Sequence, residues 1–422
     1  MKILIPFLIS LNIQKITLDT GLNVFLYKNE ISPIVTIALA FRAGGEYQVP
    51  EDAGLFHLVE HMFFKGNRKY KTQEKFMERV RELGIIYNGA TSHNYVIYYY
   101  TLPKEKIKEG LDFAYNAITG ILFDEKELEK ERTVVLDEYN RDYSSPSYSF
   151  YTDLSRLFHE ELFYRDDLLG PKHNILKADR KLLIEQYEKF YGPHNCNLII
   201  SGDIDFDEAE KLVKKTFGKW KKKSFWQTPE PLPPLRTKKF LKILSKEVNT
   251  ARIFVGFRGP GTLYQRKDTY IGDLTGTIFS LSYSLFQKEF VHSGIATSAS
   301  FSYYTKPSTG EIYLLLELPK ENIDKAKEKI YEFLNTCDEE RWYPDELIED
   351  AKMELENEFS LSTENSQKFA LNLGFWISTA DFEYFKNYVD EIKKITKEDI
   401  KEFMKKYIKD QNYVFGILEP EK

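Results

Sequence analysis

The residues best placed to do chemistry are His57, Glu60 and His61, in the run Asp52-Ala53-Gly54-Leu55-Phe56-His57-Leu58-Val59-Glu60-His61-Met62-Phe63-Phe64-Lys65-Gly66. On a helix, His57 and His61 sit about 40° apart round the axis and about 6 Å apart along it. Glu60, three residues after His57, falls on the same face. The order H-x-x-E-H inverts the commoner H-E-x-x-H, and the chemistry permits either. Two neutral imidazoles suit zinc, while the carboxylate stays off the metal and polarises a bound water. The element that must present them is a helix over 52–66, which Glu51 or Asp52 can cap and which Gly66-Asn67 can end. The competing reading is a core helix with two incidental histidines. That helix would leave an ionised Glu60 unpartnered among Leu58, Val59, Met62, Phe63 and Phe64, which is costly. A metal removes the difficulty.

A zinc peptidase needs a third protein ligand, and the stretch 124–138 offers two acidic candidates. Asp124 with Glu127 reads as a capping box that starts a second helix. Leu128, Glu131, Val135 and Glu138 then share one stripe. Glu131 and Glu138 are almost eclipsed but about 10 Å apart along the axis. Both cannot easily reach one zinc through carboxylate bonds of about 2 Å. One is expected on the metal, the other behind it, orienting groups or substrate. A merely solvated face fits Glu125, Lys126, Glu129 and Lys130 better than it fits these two.

With these residues in place, the sequence resembles the pitrilysin, insulysin and mitochondrial processing peptidase family of zinc peptidases. There H-x-x-E-H is followed by E-x-x-x-x-x-x-E, as here 70 and 77 residues after His61. The resemblance implies zinc, one per chain, held by His57, His61 and Glu138. It implies Glu60 as general base and Glu131 as a further catalytic residue. It extends to Thr17-Leu18-Asp19-Thr20-Gly21-Leu22-Asn23-Val24, and to Tyr87-Asn88-Gly89-Ala90-Thr91-Ser92. It also takes in Tyr191-Gly192-Pro193-His194-Asn195 with Ser201-Gly202-Asp203. Asn88, Ala90 and Thr91 are then expected on an edge strand that takes an extended peptide as an added strand.

Length and composition bound the rest. A chain of 422 residues suits two domains near 200 residues each, and 42% apolar residues suffice for folded cores. No run of about 20 apolar residues occurs, so no membrane span is expected. A net charge of −6, spread along the chain, argues against a nucleic-acid partner. Cys196 and Cys337 stand alone in different halves and form no C-x-x-C pair. Met1-Lys2 with the apolar residues 3–10 resembles the start of a signal peptide but is short for one, which leaves cytoplasmic and periplasmic locations both open.

The elements around the motif follow from periodicity. Residues 13–28 read as a hairpin and 33–43 as a buried strand. Helices are expected at 72–83, 104–121, 124–143 and 205–220, with a strand-like stretch at 87–102 and a strand before 200. The proline-rich stretch 228–236 is the expected linker between a zinc-binding domain, 1–227, and a second domain, 237–422. The second domain repeats the plan: strands near 239–244, 251–257, 297–304 and 310–318, and helices near 267–286, from 321 and from 343. The class is α+β, two homologous domains of mainly antiparallel sheet with helices packed on it. The resemblance implies the LuxS/processing-peptidase-like metallohydrolase fold.

One departure bears on function. In the family the second domain carries an Arg and, seven residues on, a Tyr that hold the substrate carbonyl. Registered on Gly294, those positions are Phe290 and Thr297, and the glycine-rich stretch before them reads Thr277-Ile278-Phe279-Ser280-Leu281-Ser282. Three expectations compete. The chain is the catalytic subunit of a heterodimer whose paralogous partner supplies Arg and Tyr. Or it is a self-sufficient, homodimeric peptidase using Arg258, Tyr303 or Tyr304. Or it is a non-enzymatic scaffold like the core subunits of respiratory complex III, against which the intact His57, Glu60, His61 and Glu138 count.

Overall fold

The computed structural model describes residues 12–165, 167–223 and 227–421; the apolar lead-in at 3–10 lies outside them. The chain folds as two α+β domains built on two sheets. The first holds β1 (Ile13–Thr17), β2 (Asn23–Lys28), β3 (Ile34–Phe41), β4 (Ile86–Thr91), β5 (Val96–Pro103) and β6 (Cys196–Gly202). Their order is β1-β2-β6-β3-β5-β4. The second holds β7 (Lys239–Ser245), β8 (Ala251–Gly259), β9 (Ser298–Tyr304), β10 (Gly310–Leu318) and β11 (Val414–Pro420), in the order β7-β11-β8-β10-β9. Without β1 the two orders correspond strand for strand. The correspondence includes one parallel pair in each sheet, β2 with β6 and β7 with β11, among otherwise antiparallel neighbours. β4 and β9 occupy equivalent edges.

β3 and β6 are buried along nearly their whole length, which is why they read as apolar runs rather than alternations. The aromatic stretch 87–102 is two strands, not one. The chain reverses at Ser92, whose amide donates to the Tyr95 carbonyl at 2.9 Å, and Asn94 in that turn donates its side-chain amide to Thr379. The helix expected over 267–286 is likewise interrupted. It runs Arg266–Ser280, stops, and resumes at Leu285–Gln287, where Ser284 caps the restart by accepting from the Gln287 amide at 3.2 Å.

Each sheet also borrows a helix from the other half of the sequence. The helix Ser366–Thr379 lays Phe369, Ala370, Leu373 and Ile377 on the outer face of the first sheet, against Phe25, Tyr27, Ala38, Ala40, Ile97 and Ile199. The helix Pro146–His159 packs Phe150, Leu154 and Phe158 against Val414 and Leu418 of the second. The proline-rich segment runs along the second domain, with Leu235 buried beside that helix and the Leu232 amide donating to Thr309 at 2.8 Å. A cut there would strip one covered face from each sheet. No helix among the described residues is long and apolar enough to cross a membrane.

Candidate metal centre

The histidine helix runs Leu55–Phe63 and buries Leu55, Phe56, Leu58, Val59, Met62 and Phe63. That leaves His57, Glu60 and His61 on the remaining face. Its start is not capped by Glu51 or Asp52. Asp52 accepts the Val49 amide at 2.7 Å in the preceding turn, and the N-cap is Gly54 in the left-handed region, φ 92°. A Cβ at Gly54 would meet the Leu169 carbonyl oxygen at 2.4 Å, so both conformation and space require glycine. Gln48 takes over the capping. Its Oε1 accepts from the Gly54 amide at 2.8 Å, while its Nε2 donates to the Tyr164 carbonyl at 2.7 Å. The distal turn is closed by Gly66, φ 120°.

The acidic helix, Glu125–Tyr143, is capped by Asp124, whose carboxylate accepts from the amides of Lys126 and Glu127. Glu127 pairs with Lys130 at 2.6 Å rather than completing a capping box. The helix turns Leu128, Glu131 and Val135 inward. Glu138, one further turn along, faces the histidines: its Oε2 lies 3.8 Å from His57 Nε2 and 3.6 Å from His61 Nε2. Within the described residues His57, His61 and Glu138 form the one group of three such side chains whose ligand atoms all lie within 4.8 Å of one another.

These separations fit a tetrahedral zinc. Bonds of about 2 Å to nitrogen and oxygen place neighbouring ligand atoms about 3.3 Å apart, slightly inside the observed spacing. The donor chemistry fits too. Burial and the neighbouring His61 push His57 down to about 4, so its imidazole is neutral over the physiological range. His61 Nδ1 meets Glu131 Oε2 at 3.0 Å, leaving Nε2 for a metal. Burial opposes ionisation of Glu131, but its hydrogen bonds with His61 and Lys65 outweigh that and hold its carboxyl below the usual range. The two glutamates on one stripe therefore occupy different places, Glu138 at the convergence point and Glu131 behind His61.

Glu60 points to the edge strand. Thr91 Oγ1, on β4, donates to Glu60 Oε2 at 2.5 Å. Burial pushes the Glu60 carboxyl up, partly offset by Thr91 and by His61; a raised carboxyl is what a base working near neutrality requires. Asn88 and Ala90 are exposed on β4, with the Asn88 side chain accepting from the Gly89 amide at 2.9 Å. So Thr91 holds Glu60, while Asn88 and Ala90 face solvent along the same edge.

The helper positions do not reach the centre. Phe290 is fully buried in the second core against Phe286 and Phe333. Thr297 donates its hydroxyl to the Glu317 carbonyl at 2.9 Å. Arg258 donates to the carbonyls of Pro233 and Phe158 and lies 3.5 Å from Glu160. Tyr303 donates to the Pro260 carbonyl at 2.7 Å. Tyr304 alone of the three named donors has its ring against the first half, edge-on to His93 with centroids 6.1 Å apart.

Sequence reasoning passed over two residues. Gln48 gives no signal ahead of the fold, because its side-chain partners are backbone groups of two separate segments, at Gly54 and at Tyr164 and Asp167. Lys65 gives one: four residues past His61, it continues the row of His57 and His61, and its ammonium meets Glu131 Oε1 at 2.7 Å.

The family profile described as insulinase (peptidase family M16) matches residues 23–163, and the one described as the peptidase M16 inactive domain matches 177–355. A Bacillus subtilis protein described as the uncharacterized zinc protease YmxG is 26% identical over 357 residues, 84% of this chain and 85% of its own length. The human mitochondrial-processing peptidase subunit beta is 26% identical over 201 residues, 48% of this chain and 41% of its own. Among solved structures, a protease from Helicobacter pylori superposes with a TM-score of 0.87 at 18% identity, over 97% of this chain and all of that one. The first of these profiles spans the histidine helix and the acidic helix, and the second runs from the end of the first half into the other. The chain is a member of the insulinase family of peptidases, family M16.

Proposed function

We propose that this protein is a zinc-dependent endopeptidase that hydrolyses peptides or unfolded segments. The observation that carries the reading is the convergence of His57, His61 and Glu138 beside a glutamate, Glu60, held on the same helix face. Those three residues would hold the zinc. Bound there, zinc supplies Lewis acidity and lowers the pKa of a coordinated water to about 7. Glu60 takes the proton from the attacking water and passes it to the leaving amine. Thr91 keeps that carboxylate aimed along β4. Asn88 to Thr91, on an exposed sheet edge, pair with the substrate backbone as an added strand, which gives affinity with little sequence preference.

The chain works best as the catalytic member of a heterodimer. A developing oxyanion needs donors set in advance, and losing one typically costs about 2.7–4 kcal/mol in the transition state. Phe290 in the core and Thr297 on a carbonyl supply none, so a paralogous partner brings the Arg and Tyr. Tyr304 favours the second reading, a self-sufficient homodimer, since it stands at the junction beside His93. The test is an assay of the pure chain on an unstructured peptide, with and without chelator, and then with a paralogue that has R-x-x-R-G-x-x-Y but no H-x-x-E-H. The heterodimer reading expects slow, chelator-sensitive cleavage that the partner accelerates. Full turnover by the pure chain, unchanged by any partner, supports the homodimer; no cleavage under any condition leaves a scaffold.

A further inference from the structure

Lys65 lies just beyond the end of the histidine helix, and its ammonium meets one oxygen of Glu131 at 2.7 Å while the other oxygen meets His61 Nδ1 at 3.0 Å. The three side chains are 17%, 8% and 17% exposed, so the chain of contacts is largely shielded from solvent. We propose that Lys65 is a positioning residue of the metal centre: it clamps Glu131, which in turn fixes the His61 ring with Nε2 toward the metal. The proposal rests on the zinc reading above. A carboxylate turns readily about its terminal bond, so one hydrogen bond leaves it free to rotate and release the ring, whereas contacts at both oxygens do not. The clamp falls on one histidine only. His57 Nδ1 is buried with no hydrogen-bond partner among the described residues, so the rigidity of the ligand set depends on the His61 side.

Charge balance points the same way. Glu60, Glu131 and Glu138 bring three negative charges, a divalent metal returns two, and Lys65 supplies the third. Among the described residues it is the one lysine or arginine within ion-pair distance of these carboxylates. Removing it has two consequences of opposite sign. Coulomb's law alone makes a site that has lost a nearby cation bind a dication more tightly. Loss of positioning makes it bind more weakly, on the order of 10–100-fold for a residue behind a ligand. The direction of the change therefore separates the two.

The experiment is a zinc competition titration of the full chain against a chromogenic chelator. Lys65→Met is expected to weaken zinc binding about tenfold or more, and Lys65→Arg, which still donates to a carboxylate, to restore most of it. In the Glu131→Gln background, Lys65→Met should add little, because the clamp then holds nothing. Unchanged or tighter binding by Lys65→Met, or losses that simply multiply in the double variant, would overturn the role. Thermal melting of each metal-free variant checks its folding. If Lys65→Met does not fold, Lys65→Gln takes its place, with loss in the same direction expected and unchanged binding overturning the role. The unaltered chain failing to bind zinc would overturn the zinc reading itself. Normal binding there, with no loss in the variants, overturns only the part given to Lys65.

Discussion

In the first half, β3 leads into a short helix that presents two histidines and a glutamate, and the acidic helix beside it turns Glu131 inward and Glu138 toward them. In the second half, the equivalent strand β8 leads into the helix Arg266–Ser280. Its counterpart neighbour, Asp345–Ser362, buries Leu347, Ile348, Ala351 and Leu355. The helix Arg266–Ser280 carries no histidine, while Phe279, Phe286, Phe290 and Phe333 form a ring cluster in the second core, as Phe64, Phe76 and Phe113 do in the first. One backbone plan thus serves two purposes, and the difference lies in a few inward side chains. The second half keeps a half-buried carboxylate on its helix, Asp273, which accepts from Tyr388 at 3.0 Å and from Thr305 at 3.2 Å. Hydroxyl partners satisfy it; no lysine or arginine among the described residues pairs with it.

The comparison breaks first at Glu60. Glu60→Gln should slow peptide cleavage by about 10²–10⁴-fold with zinc content unchanged, because the residue acts on the proton and not on the metal. Cleavage at the unaltered rate would show that the histidine helix does not carry the base. In the second core, Phe290→Ala should cost about 3–5 kcal/mol of stability, read by denaturant unfolding, and leave zinc binding alone. Phe290→Arg places a guanidinium in that core and is expected to unfold the domain rather than add a donor at the cleft. A stable, more active Phe290→Arg protein would overturn the assignment of Phe290 to the core.

Much of the metal half was legible beforehand because helix geometry acts over a few residues. The four-residue spacing puts His57 and His61 on one face, and the seven-residue spacing keeps Glu131 and Glu138 from both reaching one ion. The resemblance, not the spacing, put Glu138 rather than Glu131 on the metal. What stayed hidden depends on distant segments. The cap on the histidine helix comes from Gln48 because Gly54 packs against the Leu169 carbonyl. The split of 87–102 into β4 and β5 turns on Asn94 reaching Thr379, a residue of the other half. The exchange of helices between the sheets leaves no local trace, since Phe369 and Leu373 read as any core face would.

Smaller effects sharpen the contrast. Glu131→Gln should weaken zinc by about 10–100-fold, less than Glu138→Gln in the same chelator titration; equal losses would contradict the separate places of the two glutamates. The least of the expected effects concerns Asp273, which burial pushes up to about 7, against the lowering by Tyr388 and Thr305. Between the unfolded value near 3.8 and about 7 the folded state binds more protons than the unfolded state. Stability therefore falls as pH rises through that window and levels off above it. Asp273→Asn should flatten the slope by an amount on the order of 1 kcal/mol, discounted because the side chain is partly open to solvent. Denaturant melts at pH 5 and pH 8 measure it, and an unchanged slope would mean that Asp273 does not titrate there.

The most direct test of the division between the halves is metal stoichiometry. Carefully purified chain, reconstituted with zinc and analysed for metal, should hold one zinc, and His61→Ala should hold none while remaining folded. Two zinc ions per chain, none in the unaltered protein, or full retention in His61→Ala would contradict the account.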